Sequence, residues 1–275
     1  MTESMTGATE QFQLLEETLR WYAEAGVDIA VDETPHNRFI EQQTVSESSK
    51  PAISVPALNQ PVQTRSLQES LVKAPSDAAI QAAELAKSAK TLDDLREIMK
   101  NFNGCALKAT ATQMVFGDGN EQAKIMFVGE GPGREEDSQG LPFVGPAGQL
   151  LNKMLKSIHL PRTDVYIANV VPWRPPGNRT PTTQELSICK PFIKRQIELI
   201  NPDILVCLGG PAAQTLLEQK QGIVSIRGKW LEYKCGDKII PAMPTFHPAY
   251  LLRQPLQKRL SWKDFQAINI IMLKP

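Results

Sequence analysis

A short hydrophobic run, Lys124-Ile-Met-Phe-Val128, empties into Gly129-Glu-Gly-Pro-Gly-Arg-Glu-Glu-Asp137 and then Leu141-Pro-Phe-Val-Gly145. The pattern is that of a buried strand feeding a glycine-rich turn. At the carboxyl end of a parallel strand, such turns are where open α/β sheets hold their ligands, because glycine lets the backbone approach a flat molecule closely. The side chains then exclude two ligand classes. A pyrophosphate would be repelled by Glu135, Glu136 and Asp137, and the third glycine of a dinucleotide fingerprint would fall at Arg134. No Gly-Lys-Ser/Thr follows, so a phosphate-cradling P-loop is excluded too.

From Lys124 onward strands and helices alternate. Strands are predicted near 124–129, 165–170, 203–208 and 242–246, and helices near 146–158, 183–200, 211–218 and 256–272. Val165-Tyr-Ile-Ala and Ile204-Leu-Val-Cys-Leu208 are apolar on both faces, as parallel strands covered by helices must be. The expected fold is therefore a three-layer α/β/α sandwich around a central parallel sheet of about four strands. Trp230 to Ile240 reads as a hairpin with Gly236-Asp237 at its turn, an insertion before the last strand.

Upstream, Phe12, Leu15, Leu19 and Tyr22 space out an amphipathic helix over Gln11–Ala25, with Gly26 as its stop. The stretch from Glu33 to Asp77 is rich in Ser, Gln, Pro and Thr, and buries too little apolar surface to offset its ordering entropy. A helix follows from about Ser76 to Lys90, and Thr91-Leu-Asp-Asp-Leu95 looks like the capped start of another ending near Asn103-Gly104. The organisation expected is an N-terminal helix (1–30), a disordered linker (31–77) and one α/β domain (78–275).

The zero net charge hides an asymmetry. Up to Asn120 there are 10 Lys+Arg against 17 Asp+Glu, and beyond it 20 against 13, giving −7 and +7. A basic catalytic part suits a phosphate backbone, although a solvated surface can carry the same surplus. No stretch of about 18 apolar residues occurs, which argues against a membrane span. The start, Met-Thr-Glu-Ser-Met-Thr-Gly, lacks a basic region followed by an apolar core, so a cytoplasmic location is expected.

Two further segments follow apparent strands: Asn169-Val-Val-Pro-Trp-Arg-Pro-Pro-Gly-Asn-Arg179 and His247-Pro-Ala-Tyr-Leu-Leu252. With the glycine-rich turn, these three motifs in this order resemble the uracil-DNA glycosylase superfamily, and within it the family 4 enzymes that usually carry an iron-sulfur cluster. The resemblance runs from about Leu95 to about Ile271. It implies a DNA-repair hydrolase that flips uracil out of single- or double-stranded DNA and cleaves its N-glycosidic bond. The alternative is a protein of the same fold that binds damaged bases or DNA without cutting.

Such chemistry leaves negative charge on the base and cationic character on the sugar, and a duplex buries the bond, so the nucleotide must enter a pocket. His247 suits the developing oxyanion: Pro248 is a good first helical residue, which places the imidazole at a positive helix terminus and keeps it neutral, with a ring N–H to donate. Asn169 closes a strand before a stiff proline loop, and its amide can accept from N3–H and donate to O4 of uracil. The family's base reader is the matching Asn. Phe143 falls where the family stacks its aromatic, and Gly131 would let the backbone N–H reach the base. Glu130 and Glu136 match family positions near the reacting sugar. A carboxylate there could orient water or favour the cationic sugar, and no general base is assigned. Arg174, Asn178, Arg179 and Arg253, with Lys258 and Arg259 further on, are candidate phosphate contacts.

The chain departs from its family at the cluster. Family 4 enzymes place four cysteines in a Cys-x-x-Cys pair, the proline loop and the following helix; here those places hold Cys105, Lys108, Trp173 and Cys189. Two thiolates do not hold a cubane. Cys207 and Cys235 are not obvious substitutes. The expectation is a protein with no cofactor, with Trp173 packed into part of the cluster's place, and with Cys105 and Cys189 as neighbouring thiols.

Overall fold

A computed structural model describes residues 75–272. The N-terminal helix and all but the end of the linker lie outside the described residues.

Helices α1 (Pro75–Ser88) and α2 (Leu92–Asn101) lead into the short α3 (Leu107–Thr110). Alternating elements follow: β1 (Asp118–Gly119), β2 (Ile125–Gly129), α4 (Arg134–Gln139), α5 (Pro146–Ser157), β3 (Tyr166–Asn169) and α6 (Thr183–Ile200). The chain ends on β4 (Ile204–Leu208), α7 (Gly210–Leu217), α8 (Ile223–Ile226), β5 (Leu231–Cys235), β6 (Lys238–Thr245), α9 (Pro248–Arg253) and α10 (Lys258–Met272).

The six strands form one sheet in the order β1-β3-β2-β4-β6-β5. Its four central strands are parallel, as expected from their two-sided apolarity, and antiparallel β1 and β5 close the edges. Alternate residues of each strand feed opposite cores. Met126, Val128, Ala168, Leu205 and Cys207 pack with residues of α1, α2, α6 and α7, whereas Ile125, Phe127, Ile167, Ile204 and Val206 pack with α5 and α10. Each fully buried Ile, Leu or Phe contributes about 1.5–3 kcal/mol. Both faces are thus covered, and the three layers expected from the sequence are present.

Four expectations are corrected. Helix α1 starts at Pro75, so the linker ends earlier than Asp77. The hairpin is not an insertion: its second arm is the last parallel strand, because Lys238–Thr245 runs unbroken from the Gly236-Asp237 turn to the middle of the sheet. The acidic turn is itself helical over Arg134–Gln139, since Glu136 reaches back to the Gly133 N–H and Gly140 ends the helix at φ 72°. The final helix begins at Lys258, after a 3₁₀ turn at Pro255–Gln257. The capping signal read at Thr91 holds, with Thr91 and Asp94 boxing the start of α2; α6 starts on a second box, Thr182 with Glu185, that was not read from the sequence.

Candidate active site

The carboxyl ends of the parallel strands meet at one cleft. Gly129 at the end of β2 stands opposite Asn169 at the end of β3. On the other side the Gly209 N–H donates to the Thr245 carbonyl at 2.9 Å, which draws the end of β4 to the end of β6, just before His247. A cavity of about 560 Å³ opens there. Glu130, Gly131, Glu136, Phe143, Asn169 and His247 line it, with Asn178, Arg179 and Arg253. Among the residues expected at a site, Arg174, Lys258 and Arg259 do not line the cavity.

His247 precedes the first turn of α9, and its Nδ1 accepts the Ala249 N–H at 3.1 Å. With that lone pair engaged, a neutral ring carries its proton on Nε2. Burial pushes the imidazole pKa down to about 4, and Arg253 adds to the effect. The sequence argument reached a neutral histidine through the helix terminus; burial is the main cause. The Phe143 ring lies 5.5 Å from the imidazole, tilted by 33°.

Phe143 sits at φ 52°, a left-handed conformation that a residue with a side chain rarely adopts. Asn169 is buried, and its Oδ1 has no hydrogen-bond partner among the described residues. Space for both comes from Gly129: a Cβ there would stand 2.5 Å from Asn169 Oδ1 and 2.6 Å from the Phe143 ring. Gly131 has a packing reason too, since a Cβ would stand 2.6 Å from Val171 Cγ2. The turn and the proline loop are joined by main-chain bonds, Val170 N–H to Gly129 O at 2.9 Å and Val171 N–H to Glu130 O at 3.1 Å.

The carboxylates divide by task. Glu136 accepts from the N–H groups of Gly133, Val144 and Gly145 at 3.1, 3.0 and 2.9 Å, so it fastens the segment after Phe143 to the glycine turn. Asp137 accepts from the Thr112 N–H and hydroxyl, both at 2.8 Å. Glu130 is half-buried, and burial raises its carboxyl pKa, with a bond to Thr180 opposing. Unlike those of Glu136 and Asp137, its oxygens accept no main-chain N–H among the described residues. Arg179 forks onto Glu185 at 2.8 and 2.7 Å, and this partner lowers the Glu185 pKa to about 2. Arg174 donates to Asn178 at 2.7 Å. Arg253 is exposed at the rim, and no described carboxylate pairs with it.

Sequence reasoning missed Arg134, Glu135 and Tyr250, which also line the cavity, and Arg162, which supports it from behind. Tyr250 was visible in the His-Pro-Ala-Tyr segment and packs against Phe246, the ring centroids 4.9 Å apart and the planes tilted by 42°. Arg162 carried no local signal, because its acceptors lie 10 to 44 residues away.

At the degenerate cluster positions the Cys189 and Cys105 sulfurs are 3.9 Å apart, both thiols free and buried. Trp173 is fully buried in the same apolar cluster. Lys108 donates to the carbonyls of Lys100 and Phe102 and to Asn103 Oδ1, closing the end of α2. Cys207 lies within β4, and the Cys235 thiol points to the Ile197 carbonyl at 3.7 Å. Among the described residues no three His, Cys, Asp or Glu side chains come together as a metal site. This donor set does not fit a four-iron cluster.

An aromatic ring, an amide oxygen without a partner among the described residues and a buried imidazole thus face one cleft at the carboxyl edge of an α/β sheet. The chain matches the model of the uracil DNA glycosylase superfamily over residues 116–268, more than half its length. It is 47% identical to a type-4 uracil-DNA glycosylase of Thermotoga maritima over 168 residues, 59% of this chain and 86% of that one. A type-4 uracil-DNA glycosylase of Archaeoglobus fulgidus is 45% identical over 185 residues, 66% and 92% of the two chains. A DNA polymerase of Bacillus phage SP01 shares 30% identity over 177 residues, 64% of this chain and 18% of that one. The chain belongs to the uracil DNA glycosylase superfamily, on its type-4 side. Among the described residues no helix is long and apolar enough to cross a membrane.

Proposed function

We propose that the protein is a monofunctional uracil-DNA glycosylase of base excision repair, which takes a uracil nucleotide from DNA into this cavity and hydrolyses its glycosidic bond. The observation that carries the reading is the buried, unpartnered Oδ1 of Asn169. An orphaned acceptor costs stability unless a ligand supplies the donor. The N3–H of uracil is such a donor, and the amide N–H₂ would give to O4; cytosine presents the reverse pair.

In this reading Phe143 stacks on the base and adds affinity without choice. As the bond breaks, charge grows on uracil O2, and the Nε2–H of neutral His247 stabilises it; one such donor is worth about 10²–10³ in rate. Glu130 stands at the cavity wall where a carboxylate favours a cationic sugar or orients water. Glu136 acts by holding the Phe143 segment. Arg253 offers a phosphate contact, whereas Arg179 is committed to Glu185 and braces the proline loop.

The same reading dispenses with an iron-sulfur cluster. Trp173 packs where the family has a ligand, and Lys108 ties its loop to α2 by hydrogen bonds. Anaerobically purified protein is expected to hold no iron or acid-labile sulfide and to release uracil all the same.

The decisive experiment is release of uracil from a labelled oligonucleotide bearing one uracil, single- and double-stranded, read by alkaline strand cleavage with His247→Ala as control. Cleavage that disappears in the control supports the glycosylase. Retention of the oligonucleotide without cleavage would instead favour a damaged-base binder.

A further inference from the structure

We infer that Arg162 is a positioning residue for base stacking, acting through the main chain of Phe143. The inference rests on the uracil reading of the cavity.

Arg162 opens a 3₁₀ turn before β3 and does not line the cavity. Its guanidinium nevertheless reaches the segment that carries the stacking ring. Nη2 donates to the Pro142 carbonyl at 2.6 Å and Nη1 to the Phe143 carbonyl at 3.0 Å. Asn152 of α5 accepts from Nη1 at 3.1 Å, and Asp118 of β1 accepts from Nε and Nη2 at 3.0 and 2.9 Å. One planar head therefore joins the edge strand, a helix and two successive carbonyls of the loop.

Those two carbonyls flank the unfavourable torsion. Phe143 at φ 52° would relax to negative φ if its peptides could rotate, and its ring would swing with them. Rotation is opposed from two sides. The guanidinium holds the carbonyls, and α5 lies so close that a Cβ on Gly148 would stand 1.8 Å from Phe143 O. A fork of fixed donors can bind two carbonyls and a carboxylate together, which a lysine ammonium cannot do in the same geometry.

The test is a double-mutant cycle of Arg162→Lys and Phe143→Ala, with kcat and KM for uracil release and a thermal melt on each protein. Stacking holds the base equally before and during bond breaking, so its loss falls on KM. Expected is a rise in KM of about tenfold for Arg162→Lys, with kcat little changed and no further rise in the Phe143→Ala background. Equal losses in both backgrounds, or a fall in kcat alone, would overturn the inference and leave Arg162 a general structural residue. Should Arg162→Lys not fold, Asp118→Asn loosens the guanidinium while sparing the carbonyls, and the same coupling to Phe143 is expected. A 4-fluorophenylalanine at position 143 reads the ring directly. If wild type releases no uracil, the glycosylase reading fails alone, and an unshifted ¹⁹F resonance in Arg162→Lys would sink this inference separately.

Discussion

His247 Nδ1 accepts the main-chain N–H of Ala249 at 3.1 Å, and this bond fixes which ring nitrogen can serve a ligand. A protonated ring would lose that acceptor, and burial already disfavours the charge, holding the pKa at about 4. Uracil release should therefore show no loss of a His-linked component between pH 8 and pH 5, falling only near pH 4. His247→Ala should lower kcat by about 10²–10³. The stability linkage has a definite sign: below about 6.5 the unfolded chain takes up a proton that the folded chain does not. Wild-type stability should fall from pH 6.5 towards 4, and His247→Ala should lack this component of the slope. A rate that rises as pH drops through 6.5 would contradict a neutral donor.

Asn169 should show opposite effects on activity and stability. Its Oδ1 accepts no hydrogen bond among the described residues, so removing the side chain breaks no bond of that oxygen within the fold. Asn169→Ala should release uracil at least 100-fold more slowly, by analogy with loss of a single positioned polar contact. Its melting temperature should nonetheless hold or rise by about 2–4 °C, the shift expected for 1 kcal/mol in a domain of this size. A melt lowered by several degrees would show that the amide is satisfied by the fold and not reserved for a base.

Gly129→Ala should injure the site while leaving the sheet intact. The added methyl would stand 2.5 Å from Asn169 Oδ1 and 2.6 Å from the Phe143 ring, so both must move. The expected outcome is a folded protein with normal far-ultraviolet circular dichroism and uracil release reduced about 100-fold. Full activity would mean that neither side chain needs its present position.

Strand and helix placement were legible because the chain repeats simple signals. Ile204-Leu-Val-Cys-Leu208 is apolar throughout and is a central parallel strand, and Thr91 with Asp94 caps α2. That three side chains would meet was legible: Asn169 closes β3, His247 comes two residues after β6, Phe143 lies beyond the turn after β2, and all three line the cavity. Partners across the fold were not legible. Arg179 looks like a phosphate ligand until Glu185 takes its fork, Glu136 looks catalytic until its oxygens meet three N–H groups, and Arg162 has no local mark. The two-residue β1 is too short to carry a periodic pattern.

The Arg179–Glu185 pair should make the proline loop sensitive to acid. Glu185 is nearly buried and its pKa is lowered to about 2, chiefly by the Arg179 hydrogen bonds. A depressed carboxylate contributes stability above its unfolded pKa of about 4.5, lost as pH falls towards 2. Solvent screening of the exposed Arg179 keeps the contribution small. Glu185→Gln should melt below wild type at pH 7, and the gap should close as pH is lowered from 5 to 3. A gap independent of pH would assign the loss to packing.

Arg253 and Arg179 should differ in how they respond to salt. Arg253 is exposed at the cavity rim without a described carboxylate partner, so pairing with a phosphate would cost it no existing ion pair. Arg179 would have to give up two hydrogen bonds to Glu185 at 2.8 and 2.7 Å. Each phosphate contact releases condensed counterions and steepens the plot of log binding constant against log salt by about 0.9 on duplex DNA and about 0.7 on single strands. Arg253→Gln should therefore flatten that slope by nearly one unit on duplex, measured by fluorescence anisotropy in a His247→Ala background that slows turnover. Arg179→Gln should leave the slope unchanged while lowering the melting temperature. If Arg179→Gln flattens the slope instead, the ion pair opens on DNA and the loop is braced only in the free protein.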